Sequence, residues 1–111
     1  NYVLNGALTL TNLSSFNPLK LFLATPAIDA HKGVTHYNDT LAATKRQMVA
    51  QAKAVYVLAD SSKFDKVSLY SVCNPQHITT LITDNTHSDI NWDDYQAHVE
   101  QLIIIDTPTT T

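Results

Sequence analysis

The segment Val55–Lys63, with sequence VYVLADSSK, is the strongest indication of the fold class. Its apolar first part is rich in β-branched and aromatic residues, which predicts a buried strand. The polar residues from Asp60 onward favour turns, so the strand is expected to end there. A buried strand that leads directly into a polar turn is typical of parallel sheets, in which ligands bind beyond the carboxyl ends of the strands.

Three more apolar runs along the chain predict strands of the same sheet. They are Leu19–Ala24, Ile78–Thr83 and Leu102–Ile105. The first is nearly unbroken, and we expect it to be covered on both faces. An alternating segment, Val67–Val72, predicts a small extra strand or hairpin arm.

Two stretches between these strands have helical features. Asn38 or Asp39 can cap a helix that runs to about Ala54, and Asp89 can cap a second helix. The apolar face of the second helix is predicted to contain Trp92, Tyr95, Val99 and Leu102, and we expect its aromatic residues to lie in the core. Residues 29–37 are predicted to form a loop, and residues 1–16 have loosely helical leucine spacing. Alternating strands and helices predict an α/β fold with a mostly parallel sheet and flanking helices.

Composition limits the possible functions. The chain has 111 residues, of which 44% are apolar and 15% charged, as expected for one compact domain. Seven Lys and Arg against ten Asp and Glu exclude nucleic-acid binding by phosphate neutralisation alone. The lone Cys73 excludes a disulfide framework. With no apolar run of membrane-spanning length and no signal peptide, we expect a cytoplasmic protein without a membrane partner.

Several well-known chemical motifs are missing. The only glycines are Gly6 and Gly33, so the chain has no glycine-rich phosphate loop. Glu100 is its only glutamate, and it has no HExxH motif. His31 and His36 flank one loop, but the absence of a tight ligand motif gives a metal site there little support. We therefore expect no metal, no cofactor and no catalytic residues.

The segment from Asp60 to Lys63 is the most specific candidate site. Asp60 can accept hydrogen bonds from sugar hydroxyls, while Ser61 and Lys63 can contact a phosphate. The alternative is that Asp60 and Ser61 only cap a turn and that Lys63 is solvated. The spacing of these residues, taken alone, favours the alternative of a turn without a ligand.

Weaker candidates lie at other positions along the chain. Polar clusters at the predicted strand ends include Thr25 and Asp29, and Thr35 follows the predicted turn at Gly33. Lys45 lies in the first predicted helix, next to Arg46, and could contact an anion. A solvated helix face is the favoured interpretation of both basic residues.

Five segments, taken in order, resemble the effector-sensing domain of DeoR/GlpR-type transcriptional regulators. They are FLATPAID at 22–29, GVT at 33–35, TKRQM at 44–48, VLADSSKF at 57–64 and LITD at 81–84. The similarity covers about residues 6–106. It implies a partial fold like that of ribose-5-phosphate isomerase, glucosamine-6-phosphate deaminase and CoA transferases. It also implies binding of a phosphorylated sugar or related metabolite that controls DNA binding.

The resemblance extends to one functional segment. The Asp60–Lys63 segment is similar to the Asp-x-x-Lys of the isomerases, whose lysine lies at the sugar-phosphate site. This implies ligand-binding roles for Asp60 and Lys63. The chain departs from the family where Ala24, Pro26 and Ala27 replace a glycine-rich segment, and where Leu41 replaces a common carboxylate.

The resemblance also sets expectations about extent. We expect a partial sensor domain at residues 1–106 and a flexible tail at 107–111. The winged helix-turn-helix of the family and the first part of its sensor domain are not in this sequence, so DNA contact is expected only through that missing domain. Effector binding by this chain is then expected to be weak or absent. A sheet edge left open by the missing half favours a homo-oligomer.

Two other functions remain open. One is a sugar-phosphate isomerase or deaminase, although the single glutamate and Leu41 argue against it. The other is an interaction domain that binds no ligand, for which the replaced glycine-rich segment is the support.

Overall fold

The computed structural model describes residues 20–87 and 89–106. The helical spacing at residues 1–16 and the tail at 107–111 therefore lie outside the described residues. The strands and helices are β1 (Lys20–Ala24), β2 (Ala27–Asp29), β3 (Gly33–His36), α1 (Asp39–Gln51), β4 (Ala54–Leu58), β5 (Tyr70–Cys73), β6 (Thr80–Asp84), α2 (Trp92–His98) and β7 (Gln101–Ile105).

The strands form two sheets. The larger has the order β1-β4-β6-β7 and is entirely parallel, and the smaller is antiparallel with the order β2-β3-β5. A parallel bridge between Ile28 and Phe64 joins β2 to the turn after β4. The predicted α/β class with a mostly parallel sheet is thus confirmed.

One face of the parallel sheet forms the core. Leu21 pairs in register with Val55, and Val57 lies opposite Leu81. All four side chains are buried, together with the apolar residues that the two helices and the smaller sheet contribute. The alternation of side chains along each strand directs these residues to the same side.

Among the described residues, nothing covers the opposite face. Phe22 is 64% exposed and Ile105 is 56% exposed, and Leu58 and Ile103 are exposed as well. The Phe22 ring stacks on Tyr56, with 5.0 Å between the ring centroids. The expectation that the first strand is covered on both faces is therefore wrong for this part of the chain. Strand order explains this, because right-handed crossovers that advance in one direction all lie on the same face.

Residues 29–37 contain a strand where the sequence predicts only a loop. β2 and β3 form a tight antiparallel pair in which Asp29 lies opposite Gly33. Gly33 has a φ of +78°, and a Cβ there would lie 2.1 Å from the carbonyl oxygen of Cys73. Strands this short show no readable period, and the glycine that permits the close approach of β3 to the end of β5 also suggests a loop.

Both predicted helices are present, but their ends differ from expectation. Asn38 caps α1 as predicted, accepting a hydrogen bond from the Leu41 amide, and the helix ends at Gln51. The cap of α2 is Asn91 rather than Asp89, and the helix ends at His98. Leu102 therefore belongs to β7. Neither helix is long and apolar enough to span a membrane.

Tyr95 connects three parts of the fold. Its ring is buried against Phe64, and its hydroxyl donates to the Asp65 carboxylate at 2.7 Å. The same oxygen accepts the Asp65 amide at 2.8 Å and lies 3.3 Å from the Ile28 carbonyl. Asp65 has a positive φ of 59°, so this hydroxyl fixes a turn that most residues avoid.

Replacing Tyr95 with phenylalanine is expected to lower the free energy of unfolding by about 1–3 kcal/mol, because the Asp65 groups lose their partner. Chemical denaturation measures the change. Tyr37→Phe, at an exposed ring, is the control and is expected to stay within about 0.5 kcal/mol of the parent chain. Equal effects of the two substitutions would contradict the structural role of the Tyr95 hydroxyl.

Candidate functional site

The turn after β4 places the main candidate residues at the carboxyl edge of the parallel sheet. Asp60 caps a short 3-10 turn, Ser61–Lys63. Its carboxylate accepts the Ser62 amide at 2.9 Å and also the Ser62 hydroxyl. Asp60 itself is exposed, and Lys63 is half-buried.

Ser61 joins this turn to the end of β6. Its buried hydroxyl donates to the Asp84 carboxylate at 2.6 Å, and its amide donates to the other Asp84 oxygen at 3.3 Å. The hydroxyl also accepts the His87 amide at 3.2 Å and lies 2.8 Å from His87 Nδ1. Since the Ser61 hydroxyl is already hydrogen-bonded to other residues of the protein, the geometry favours a positioning role for Ser61.

Both carboxylates at this edge have lowered pKa values. The Ser62 hydroxyl contributes most to lowering the pKa of Asp60, and the Lys63 charge contributes as well. The Ser61 hydroxyl and the Thr86 amide lower the pKa of Asp84 to about 2. Both groups are therefore ionised at neutral pH and present hydrogen-bond acceptors.

A groove of about 440 Å³ opens beside these carboxylates. Its walls carry Asp60, Asp84 and Asp106, and its floor is apolar; the remaining lining residues are Leu58, Ala59, Ile82, Thr83 and Ile105. Thr83 Oγ1 is buried and has no hydrogen-bond partner within the described residues. Lys63 does not line the groove, but its charge acts on Asp60. The groove thus offers acceptors for hydroxyl groups, with one cation in the adjacent turn.

Lys45 is the second cation near the strand ends, and it is buried rather than solvated. Only 7% of the residue is exposed, and its ammonium donates to the Ala24 carbonyl at 2.8 Å, at the end of β1. Burial lowers the pKa of this lysine. Within the described ranges, no carboxylate lies in ion-pair distance of it. The interpretation of Lys45 as part of a solvated face is wrong, whereas the neighbouring Arg46 is exposed.

The two candidate threonines are buried and form hydrogen bonds within the protein. Thr25 Oγ1 donates to the Ala27 carbonyl at 3.0 Å and accepts the Ala27 amide at 3.3 Å. Thr35 Oγ1 accepts the Ser68 amide at 2.8 Å. Thr25 Oγ1 also lies 3.5 Å from the Thr35 carbonyl, so the structure brings these two residues together.

Asp29 lies in a different turn. One of its carboxylate oxygens accepts the amides of His31 and Lys32, both at 3.0 Å. Burial alone would raise the pKa of Asp29, but these hydrogen bonds and the neighbouring charges lower it. This carboxylate stabilises the β2–β3 turn, and its ligand role stays a prediction.

The loop histidines have different partners. His36 is buried, its Nδ1 accepts the Asn38 amide at 3.0 Å, and burial together with the Lys45 charge lowers its pKa. His31 is exposed and contacts Asp94 instead. Cys73 is buried and burial raises its pKa to about 11, as expected for an unreactive thiol.

The structure therefore places the candidate site residues in separate parts of the fold. Asp60, Ser61 and Lys63 share one turn, and the structure adds Asp84 and His87 to it. The sequence predicts Asp84 at the end of a strand, but no local pattern indicates that Ser61 bonds to it. That contact joins residues 23 positions apart and depends on the parallel pairing of β4 and β6.

A parallel sheet with polar turns gathered at its carboxyl edge defines a class of α/β domains that bind small ligands at that edge. Family comparison makes this more specific. The model of the DeoR C-terminal sensor domain matches residues 1–85. The chain belongs to this family.

Curated relatives support the assignment. The chain is 36% identical over 73 residues to a putative aga operon transcriptional repressor of Escherichia coli O157:H7, covering 66% of this chain and 27% of the relative. It is 36% identical over 81 residues to the HTH-type transcriptional repressor GlcR of Bacillus subtilis, covering 73% and 31%. It is 38% identical over 66 residues to the HTH-type transcriptional regulator GlpR of Haloferax volcanii, covering 60% and 26%. The matched part spans less than a third of each relative.

Ser61→Ala is expected to raise the pKa of Asp84 from about 2 toward its ordinary value of 3.8, because the largest stabilising hydrogen bond is lost. The folded-state pKa is depressed, so the ionised carboxylate stabilises the fold above the ordinary value. That contribution is lost as the pH falls toward 2. Carboxylate carbon shifts followed by NMR during an acid titration measure the change.

Ser62→Ala serves as the matched control for this experiment. It removes the largest cause of the low Asp60 pKa and is expected to raise that value while leaving Asp84 low. If either substitution shifted both aspartates equally, the separate pairing of Ser61 with Asp84 would be wrong.

Proposed function

We propose that this chain is the effector-sensing part of a transcriptional regulator of sugar metabolism and that it binds a phosphorylated sugar or related metabolite. Membership of the DeoR sensor family and the names of its relatives as regulators support this proposal. The main structural support is the Asp60–Lys63 turn, which lies beside a groove at the carboxyl edge of the sheet.

The groove suits the hydroxyl groups of the ligand. Asp60 and Asp84 are ionised acceptors on its walls, and the apolar floor fits the carbon skeleton of a sugar. A carboxylate that accepts from a hydroxyl forms a charge-assisted hydrogen bond. The groove walls would repel a phosphate, so the phosphate must lie outside them, toward Lys63.

Lys45 is a second candidate for the phosphate. Its buried ammonium has a carbonyl partner at the end of β1 and, in the described segments, no neighbouring carboxylate within 4.0 Å. An anion placed there would compensate the burial cost that lowers the pKa of this lysine. The roles of Thr25, Asp29 and Thr35 in the same site are part of the proposal. The hydrogen bonds of these three residues support a role in positioning the backbone around the site.

The carboxylates at this edge favour sensing over catalysis. General bases work best when their pKa lies near the operating pH, whereas the pKa of Asp84 is about 2 and that of Asp60 is also lowered. The relatives are regulators by name. In a regulator, the ligand shifts the balance between two arrangements of the protein that differ in DNA affinity. DNA contact belongs to a separate domain in this proposal, and the site of action is the cytoplasm.

Isothermal titration or thermal shift of the chain against a panel of sugar phosphates, each paired with its free sugar, tests the proposal. We expect at least one phosphate ester to bind weakly and in preference to its free sugar. The reason is that Lys63 can contact the charged phosphate group, which the free sugar lacks. Lys63→Met is expected to weaken binding about tenfold, as loss of one charge-assisted contact does. The control is Lys53→Met, at an exposed lysine near the opposite ends of the strands.

Two results would contradict effector sensing at this turn. One is the absence of binding across the panel at millimolar concentrations. The other is binding that Lys63→Met and Lys53→Met weaken equally. Turnover of a ligand by the parent chain would instead favour the isomerase or deaminase alternative.

We also propose that the protein forms a homo-oligomer through the uncovered face of the parallel sheet. Phe22 on β1 and Ile103 on β7 are exposed on this face. The exposed Leu58 and Ile105 lie at the carboxyl ends of their strands and line the groove, so they stay outside the proposed contact. Exposed apolar patches of this kind commonly mark interaction surfaces. A second copy of the chain offers the same patch and can pair with it about a twofold axis.

Ile103→Lys is expected to shift the protein toward the monomer, because it places a charge within the apolar patch on this face. Sedimentation equilibrium measures the mass. Leu69→Lys makes the same change at a residue that is 79% exposed outside the sheet and is expected to leave the mass unchanged. A parent chain that sediments as a monomer at high concentration would rule out this contact.

A further inference from the structure

We propose that His31, Asp94 and His98 form a binding site for a divalent transition metal ion, with Zn²⁺ as the probe. His31 lies in the turn between β2 and β3, and the other two residues lie on α2. The family assignment gives no role to these residues. The site is separate from the Asp60–Lys63 turn, so it does not depend on effector binding.

The distances among the three side chains suit a small cation. His31 Nε2 lies 3.0 Å from Asp94 Oδ2, and His98 Nδ1 lies 3.7 Å from Asp94 Oδ1. One ligand atom from each residue lies within 4.8 Å of the others. Tetrahedral zinc bonds of about 2.1 Å put ligand atoms about 3.4 Å apart. Side-chain rotations can therefore bring one nitrogen of each histidine and a carboxylate oxygen of Asp94 around one ion.

The hydrogen bond of His98 favours ligation through its other ring nitrogen. His98 Nδ1 lies 2.7 Å from the Asp94 backbone carbonyl. A carbonyl oxygen only accepts, so this contact requires the proton on Nδ1. The neutral ring then carries its lone pair on Nε2. Metal-binding histidines commonly have this arrangement, in which a carbonyl holds the ring and fixes its tautomer.

The surroundings of the cluster also favour a cation. The Asp29 carboxylate interacts electrostatically with His31, and Asp93 precedes Asp94 on the same helix. The edge-to-face packing of the two imidazole rings, with centroids 4.7 Å apart, already holds them as neighbours. All three residues reach solvent, so water can complete the coordination shell.

A bound ion would join parts of the chain that are far apart in sequence. His31 and Asp94 are separated by 63 positions. Tyr95, next to Asp94, already connects α2 to the end of β2 through Ile28. The metal would add a second connection between the same two elements, and the stability of the fold would then depend on metal concentration.

Isothermal titration of metal-free protein with ZnCl₂ tests this site, with MgCl₂ as a second titrant. We expect one saturable zinc site per chain and no comparable Mg²⁺ binding, because imidazole ligands favour transition metals. His31→Ala removes an exposed ligand without touching the core and is expected to weaken zinc binding about tenfold or more. Asp94→Asn is expected to weaken it as well, while keeping the shape of the side chain.

His77→Ala is the matched control, since it removes an exposed histidine outside the cluster. Thermal unfolding with and without zinc gives a second readout, and only the parent chain and His77→Ala should gain stability from the metal. Equal zinc affinity in the parent and in His31→Ala would overturn the proposal. So would a loss of affinity in His77→Ala as large as that in His31→Ala.

Discussion

The parallel pairing of β1, β4, β6 and β7 determines where the polar turns and the apolar faces of the protein lie. Because the four strands run in one direction, their carboxyl ends meet at one edge and bring Asp60 and Asp84 together. The groove is a consequence of this arrangement and needs no glycine-rich loop.

The same constraint explains why one face of the sheet is uncovered in the described residues. The strand order advances from β1 to β7 without reversing, so right-handed crossovers place α1, α2 and the smaller sheet on one side. A doubly wound sheet covers both faces only when the order reverses at a switch point. The exposed Phe22 and Ile103 therefore follow from topology, and they account for the proposal that this face contacts another copy.

Much of the fold could be predicted from local patterns. The continuous apolar run at Val55–Ala59 and the Asn38 cap each act within a few residues, so sequence alone locates them. The pair β2 and β3 was missed because strands of three and four residues have no readable period. The cap of α2 was misplaced by two residues because Asp89 and Asn91 are equally good caps in sequence.

The candidate site was less predictable because its contacts are long-range. The Lys45 ammonium donates a hydrogen bond to a carbonyl 21 positions away, and no pattern within a helix indicates such a partner. Ser61 resembles an ordinary turn residue until β6 brings Asp84 beside it. His31 and His98 lie on separate elements, so their spacing matches no metal motif. Sequence identified the polar residues at the strand ends, and topology determined which of them meet.

In the proposed function, a phosphorylated sugar binds at the turn after β4. The most direct measurement is a titration of the ¹⁵N-labelled chain with the sugar phosphates, in which amide shifts are followed residue by residue. We predict saturable shifts concentrated at residues 59–63 and 82–85, with little change near Lys53 at the opposite ends of the strands. Shifts confined to other parts of the chain, or no shifts at all, would contradict it.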